Sequence, residues 1–228
     1  MLRLVYASIV VVALGGCGQS GSPRSEPGAR PVPAAAGEVS PGGVTAPPPG
    51  GASLPRVTPI APTVGPGLEV ALLAGGCFWG MEELLRAVDG VVDTEVGYVG
   101  GEPATATYAQ VHLGTTGHAE SVKVVFDPAR LSYADLLERW FFRMHDPTTR
   151  DRQGNDRGSQ YRSAIFYTTE GQRVVAAEVV ARVDGSGRWS SPLVTSIEPA
   201  GVFTAAEAEH QDYLQQHPDG YTCHYLRD

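Results

Sequence analysis

The chain is almost without lysine: Lys123 is the only one among 228 residues, and no basic run occurs anywhere. With a formal net charge of −8 and a sequence pI near 5.2, an acidic chain with no basic patch is a poor binder of phosphate backbones, which argues against nucleic acid as a partner. Cysteine is scarce too. Cys17, Cys77 and Cys223 are the only three, too few for a disulfide-dense scaffold. No uninterrupted apolar run reaches the roughly 20 residues a membrane-spanning helix needs. Aromatics are missing from residues 18–67, which hold 12 of the 18 prolines and ten glycines. Elsewhere three Trp, nine Tyr and six Phe, within 42% hydrophobic residues overall, are enough for a core.

Residues 1–17 read MLRLVYASIVVVALGGC. Arg3 supplies a positive start, and Leu4 to Leu14 is an apolar stretch of signal-peptide length. Small residues lead into Cys17, which resembles the bacterial lipoprotein signal, whose cysteine is lipidated and becomes the mature N-terminus. Gly18, not Asp, comes next, and by that resemblance the outer membrane is favoured. The expected location is therefore outside the cytoplasm, on the periplasmic side, held through a lipid on Cys17 alone. An ordinary N-terminal helix with a buried Cys17 is the competing reading, but the Pro/Gly-rich residues after Cys17 could not pack against it. Residues 18–67 show no apolar period and cannot bury enough surface to offset their ordering entropy. They read as a disordered Pro/Gly-rich tether with a reach of about 40 Å and a monomer at its end. The folded domain is expected over 68–228. Leaving out 1–67, with four Arg and two Glu, takes the net charge from −8 to −10.

Within the domain, Glu69 to Ala74 reads as a buried strand closed by Gly75-Gly76. Cys77 to Val88 has helical spacing, Val91 to Val99 is a strand, and Tyr108 to Leu113 a short extended piece. His118 to Phe126 is a strand stopped by Asp127-Pro128. Ser132 with Asp135 opens a helix that runs to Met144. A polar loop covers Asp146 to Gln160. Arg162 to Tyr167 is a strand, Thr169 to Val183 a helix and Leu193 to Glu198 a strand. Thr204 with Glu207 is a second capping box, opening a helix to Gln216 before a short tail. Two strands adjacent in the middle argue against a parallel doubly wound sheet. They favour a mixed sheet with helices on one side, an α/β sandwich.

Cys77 follows two glycines and opens a helix, where partial positive charge and free N–H groups favour a thiolate. Phe78 and Trp79 come next and could wall an apolar pocket. The plain alternative is an inert core cysteine. Along His118 to Phe126, strand alternation puts Glu120 on the same face as Val122, Val124 and Phe126. An acid on a core face loses hydration, its pKa rises, and it becomes a general acid. A Glu at the strand's start with its head in water is the competing reading. If Cys17 is lipidated, two thiols remain: Cys77, and Cys223 in a tail free to move. A mobile second thiol suits the resolution of a redox nucleophile, while a static disulfide would also fit an exported protein.

Three segments then carry a resemblance. Gly76-Cys77-Phe78-Trp79-Gly80, Gly114-Thr115-Thr116-Gly117-His118-Ala119-Glu120 and Gly154-Asn155-Asp156-Arg157-Gly158-Ser159-Gln160-Tyr161-Arg162 resemble, in order and spacing, the motifs of the A-type peptide methionine sulfoxide reductases. The similarity runs from about Leu68 to Tyr221. It implies a ferredoxin-like two-layer α/β sandwich with a mixed, largely antiparallel sheet. It implies thiol-based reduction of the S epimer of methionine sulfoxide, in peptides, in proteins or free, without metal or organic cofactor. By the same resemblance Cys77 is the nucleophile and Glu120 the acid that protonates the sulfoxide oxygen. Tyr108 and Tyr161 match the phenols that bond that oxygen. Asp156 matches the aspartate near the catalytic centre, and Phe78 and Trp79 match the pocket for the ε-methyl. Cys77 would become a sulfenic acid, Cys223 would form a disulfide with it, and a thioredoxin-like dithiol would reset the pair.

One departure concerns the tail. Thr222 stands between Tyr221 and Cys223, and five residues come after Cys223, whereas many members place the cysteine directly after Gly-Tyr. A one-step relay through Cys223 is expected. His112, His145, His210, His217 and His224 show no zinc-ligand spacing, and His118 is expected to shape the turn beside Glu120. Two other readings stay open on the residues. One is a cysteine hydrolase or acyl-transferase with a histidine paired to Cys77. The other is a non-catalytic lipoprotein with a fixed Cys77–Cys223 bridge.

Overall fold

The structure is a computed structural model that describes residues 64–228. The expectations for residues 1–17, for Cys17 and for the tether up to residue 63 lie outside the described residues.

β1 (Glu69–Gly75) is buried along all but its first residue, as its unbroken apolar run requires of a strand covered on both faces. It lies between β3 (Ala119–Phe126) and β6 (Ser163–Tyr167), antiparallel to both. β2 (Val91–Val99) pairs antiparallel with β3. These four strands, in the order β6-β1-β3-β2, form a ferredoxin-like sheet. It gains a parallel strand, β7 (Ser196–Pro199), at one edge and an antiparallel one, β8 (Thr204–Ala205), at the other. One face carries Leu73, Val122, Val124, Phe126 and Ile165. Against it pack α1 (Phe78–Arg86), the helical stretch 133–144 and α5 (Glu170–Gly185), through Met81, Leu85, Leu137, Phe141 and Val179. The other face, with Leu72, Val99, Val125 and Phe166, is covered by Val64, Leu68 and Phe203 instead of a helix. The domain is thus a two-layer α/β sandwich with a mostly antiparallel sheet.

Helix starts follow the local chemistry. Ser132 Oγ accepts the N–H of Asp135, the side-chain cap the sequence calls for, and Thr169 Oγ1 caps α5 in the same way by accepting the N–H of Gln172. The stretch 133–144 is not uniform: α3 (Tyr133–Asp135) and α4 (Phe142–Met144) flank a π-helical segment, Leu136–Phe141.

Three expectations need correction. Tyr108 begins a helical turn, α2 (Tyr108–Val111), not an extended piece, because the Glu207 carboxylate accepts the Tyr108 N–H at 2.8 Å and caps the turn. That same bond spends Glu207, so no capping box forms at Thr204. Gln211 holds residues 206–211 along β2, exchanging hydrogen bonds with the N–H and C=O of Val96, both at 2.9 Å. Only α6 (Tyr213–Gln216) and a 3-10 turn at Ala208–His210 are helical there. Finally, the polar stretch 146–160 contains a hairpin, β4 (Arg152–Gln153) and β5 (Asp156–Arg157), turning at Gly154 with φ +56°.

Candidate active site

The β3 register sets Glu120 opposite Tyr98, on the helix-covered face. Glu120 is 2% exposed, and its Oε2 accepts the Phe78 N–H at 3.1 Å. The acid therefore presses on the first turn of α1, where Cys77 is the N-cap. Burial pushes Glu120 up to about 8, against the opposing hydrogen bond from Phe78, and the Asp156 charge adds to the rise. At neutral pH this carboxyl is mostly protonated.

Cys77 departs from its expectation. It does stand at the helix N-terminus, and the Trp79 N–H favours its anion, but burial and then the Glu120 charge raise the thiol well above its ordinary range. Desolvation of a residue only 6% exposed outweighs the helix end. At rest the sulfur is a neutral thiol, free of any disulfide.

A cavity of about 130 Å³ brings Cys77, Phe78, Trp79, Tyr108, Glu120, Asp156 and Tyr161 together, with His112 and Tyr221 added. Both phenols are raised, by burial first and the Glu120 charge second, so they face the cavity as hydrogen-bond donors. Trp79 stacks on Tyr213 with ring centres 3.9 Å apart, and Tyr108 lies 4.3 Å from His210. Glu207 ties this wall to the sheet by accepting from the Tyr98 hydroxyl and the Tyr108 N–H.

Cys223 reaches the same place from the tail. Its thiol lies 3.4 Å from Asp156 Oδ2 and 3.5 Å from His224 Nδ1, and the Tyr221 hydroxyl donates to Asp156 at 3.1 Å. Burial first, then the Asp156 charge, push Cys223 up to about 11. The tail meets the rest of the domain at two points. His224 is 7% exposed and bonds the Gly75 carbonyl at 2.9 Å, while the Arg227 N–H bonds the Arg143 carbonyl at 2.8 Å. Two glycines make the seat. At Gly80 a Cβ would collide with Thr222 Oγ1. At Gly76, φ +110°, it would come within 2.6 Å of Gln153 Cβ and 3.2 Å of His224 Cε1.

His118 lies outside the cavity, with its Nδ1 3.0 Å from Thr116 Oγ1, as a turn-shaping role requires. Sequence reasoning missed His112, Glu207, His210, Tyr213 and Tyr221. His112 follows Tyr108 by one turn of α2, a turn the residues alone did not show, and its Nδ1 lies 3.4 Å from the Tyr161 hydroxyl. Glu207 had no signal, since its partners are 99 and 109 residues away. Among the described residues, no group of three or more His, Cys, Asp and Glu is placed to hold a metal ion. No described helix is long and apolar enough to cross a membrane.

Known proteins are similar to this chain in sequence and in fold. The family model described as peptide methionine sulfoxide reductase matches residues 69–228. The peptide methionine sulfoxide reductase MsrA of Mycolicibacterium paratuberculosis is 57% identical over 159 residues, 70% of this chain and 90% of that protein. Among solved structures, reduced Mxr1 from Saccharomyces cerevisiae is 37% identical, with a TM-score of 0.69 over 73% of this chain and 96% of that one. Mxr1 in complex with Trx2 is similar too, at 28% identity and a TM-score of 0.50 over 74% of this chain and 99% of that one.

Proposed function

This chain belongs to the peptide methionine sulfoxide reductase family, and from that premise we propose that it reduces the S epimer of methionine sulfoxide, free or protein-bound, through Cys77. One observation carries the reading: the Cys77 thiol and the buried Glu120 carboxyl share a cavity with two phenols, and burial favours the neutral form of both acid and thiol. A sulfoxide oxygen leaves poorly until protonated. Glu120 gives it a proton, Tyr108 and Tyr161 donate hydrogen bonds to it, and Phe78 and Trp79 hold the substrate's methyl group. Asp156 borders the reacting atoms. Cys77 attacks the substrate sulfur, and its thiol proton passes to Glu120 as the S–H bond breaks. One oxygen is transferred: thiol plus sulfoxide become sulfenic acid plus methionine, and Glu120 is protonated again.

Cys223 then forms a disulfide with Cys77 and water departs. A thioredoxin-like dithiol reduces the bridge, a donor class supported by the yeast relative solved with Trx2. A hydrolase would need an imidazole on Cys77. The groups acting on that thiol are Glu120, the Trp79 N–H, Asp156 and Cys223, so nothing favours that reading. The deciding experiment offers each methionine sulfoxide epimer to the purified chain with dithiothreitol. The S epimer is consumed and the R epimer is not; consumption of neither sinks the reading.

We also read residues 1–17 as a lipoprotein signal, with Cys17 lipidated and the monomeric domain 68–228 tethered outside the cytoplasm by residues 18–67. Support comes from the apolar run that stops at Leu14-Gly15-Gly16-Cys17 and from the proline-rich composition behind it. Radiolabelled palmitate should enter the wild-type chain but not Cys17→Ser. Equal labelling would overturn the anchor.

A further inference from the structure

We propose that His224 is the base for the second thiol: its Nδ1 takes the Cys223 proton as Cys223 attacks the oxidised Cys77. This rests on the reductase reading. The geometry fixes the ring's tautomer. His224 Nε2 lies 2.9 Å from the Gly75 carbonyl oxygen, and a carbonyl only accepts, so Nε2 carries the hydrogen and Nδ1 the lone pair. That lone pair is 3.5 Å from Cys223 Sγ. The ring is held in place by burial, by the bond from its own backbone N–H to Thr222 Oγ1 at 3.1 Å, and by the bare Cα of Gly80 beneath it. Asp156 Oδ2 is the competing acceptor at 3.4 Å, and it already receives the Tyr221 hydroxyl.

The groups facing His224 are Cys223, Asp156, Arg227, the Gly75 carbonyl and the buried His145. Burial, with Arg227 assisting, lowers His224 to about 4, against the Gly75 bond and the Asp156 charge. The resting pair is therefore S–H···N and not an ion pair, and the proton moves only as the S–S bond forms. In that step the S–H bond of Cys223 and the S–O bond of Cys77 break, and one S–S bond forms. Cys223 is oxidised and the Cys77 sulfur is reduced. The hydroxyl leaves as water with the Glu120 proton, and the proton on Nδ1 returns through solvent to the Glu120 carboxylate.

The test uses the full-length reduced chain, mixed with one equivalent of methionine S-sulfoxide and acid-quenched over time. Methionine and the Cys77–Cys223 peptide are quantified by mass spectrometry. In His224→Ala and in His224→Gln, which keeps an acceptor but no base, disulfide formation at pH 7 slows at least about tenfold relative to methionine release. The sulfenic acid accumulates and is trapped by dimedone. A jump of that accumulated species to pH 9 closes the gap to the unsubstituted chain at the same pH, because hydroxide then supplies the thiolate and the loss of the Glu120 proton falls on all three chains alike. Closure at the wild-type pace in either variant overturns the proposal. So does a deficit that survives the jump, which would mark a displaced tail. If the unsubstituted chain releases no methionine, the reductase reading fails instead.

Discussion

Cys77 and Cys223 meet at one cavity on unlike supports. Cys77 sits at the junction of the central strand β1 and α1, held by backbone on both sides, with Glu120 bonded to the next residue's N–H. Cys223 depends on a tail held by contacts that span much of the chain; the one from His224 to Gly75 bridges 149 residues. The first sulfur is therefore as rigid as the core, whereas the second is only as well placed as its seat. Disturbing the core should cost the chemistry, and disturbing the seat should cost the recycling.

The largest effect is expected at Cys77→Ser, where methionine formation falls to background with dithiothreitol and with a protein dithiol alike, measured by amino-acid analysis. Glu120→Gln ranks next. It lowers kcat/KM by about 10²–10⁴-fold, the range for losing a general acid. The wild-type rate should fall as pH rises through about 8, because the competent form is protonated. Stability has the same sign. The folded-state value is raised above the unfolded one, so stability is full below the ordinary carboxyl range and is lost as pH climbs through about 8. The melting-temperature gap between Glu120→Gln and wild type should widen over that interval; a constant gap would show that Glu120 is hydrated.

Cys223→Ser should release one methionine per chain and then stall with a thioredoxin-type donor, while dithiothreitol still sustains turnover. Normal cycling with the protein donor would remove Cys223 from the relay. The smallest effect is expected from Gly80→Ala, whose Cβ meets Thr222 and lies 2.9 Å from His224 Nδ1. Recycling by the protein donor should slow about tenfold through misplacement alone, with less change in single-turnover methionine release. If both steps slow equally, seat and core are one unit and the contrast between the sulfurs collapses.

Much of this was legible in the residues because it is local. Alternation along β3 put Glu120 on the covered face, Ser132 with Asp135 signalled a helix start, and Gly76-Cys77 marked the entrance to α1. What stayed hidden depends on partners far away in sequence. α2 forms because a carboxylate 99 residues on caps it, and that same carboxylate is thereby lost to the helix expected after Thr204. The charge of Cys77 was misjudged for a related reason. A helix end can be read locally, but the desolvation that outweighs it is a property of the assembled core.

A thiol that stays covered and uncharged until its substrate arrives makes a poor target for indiscriminate electrophiles. Peroxide and alkylating agents prefer open anions, whereas an oxidised methionine side chain enters the recess already carrying the oxygen that Glu120 is set to protonate. Selectivity for the damage to be repaired, over the agent that caused it, would then begin with the burial of one sulfur atom.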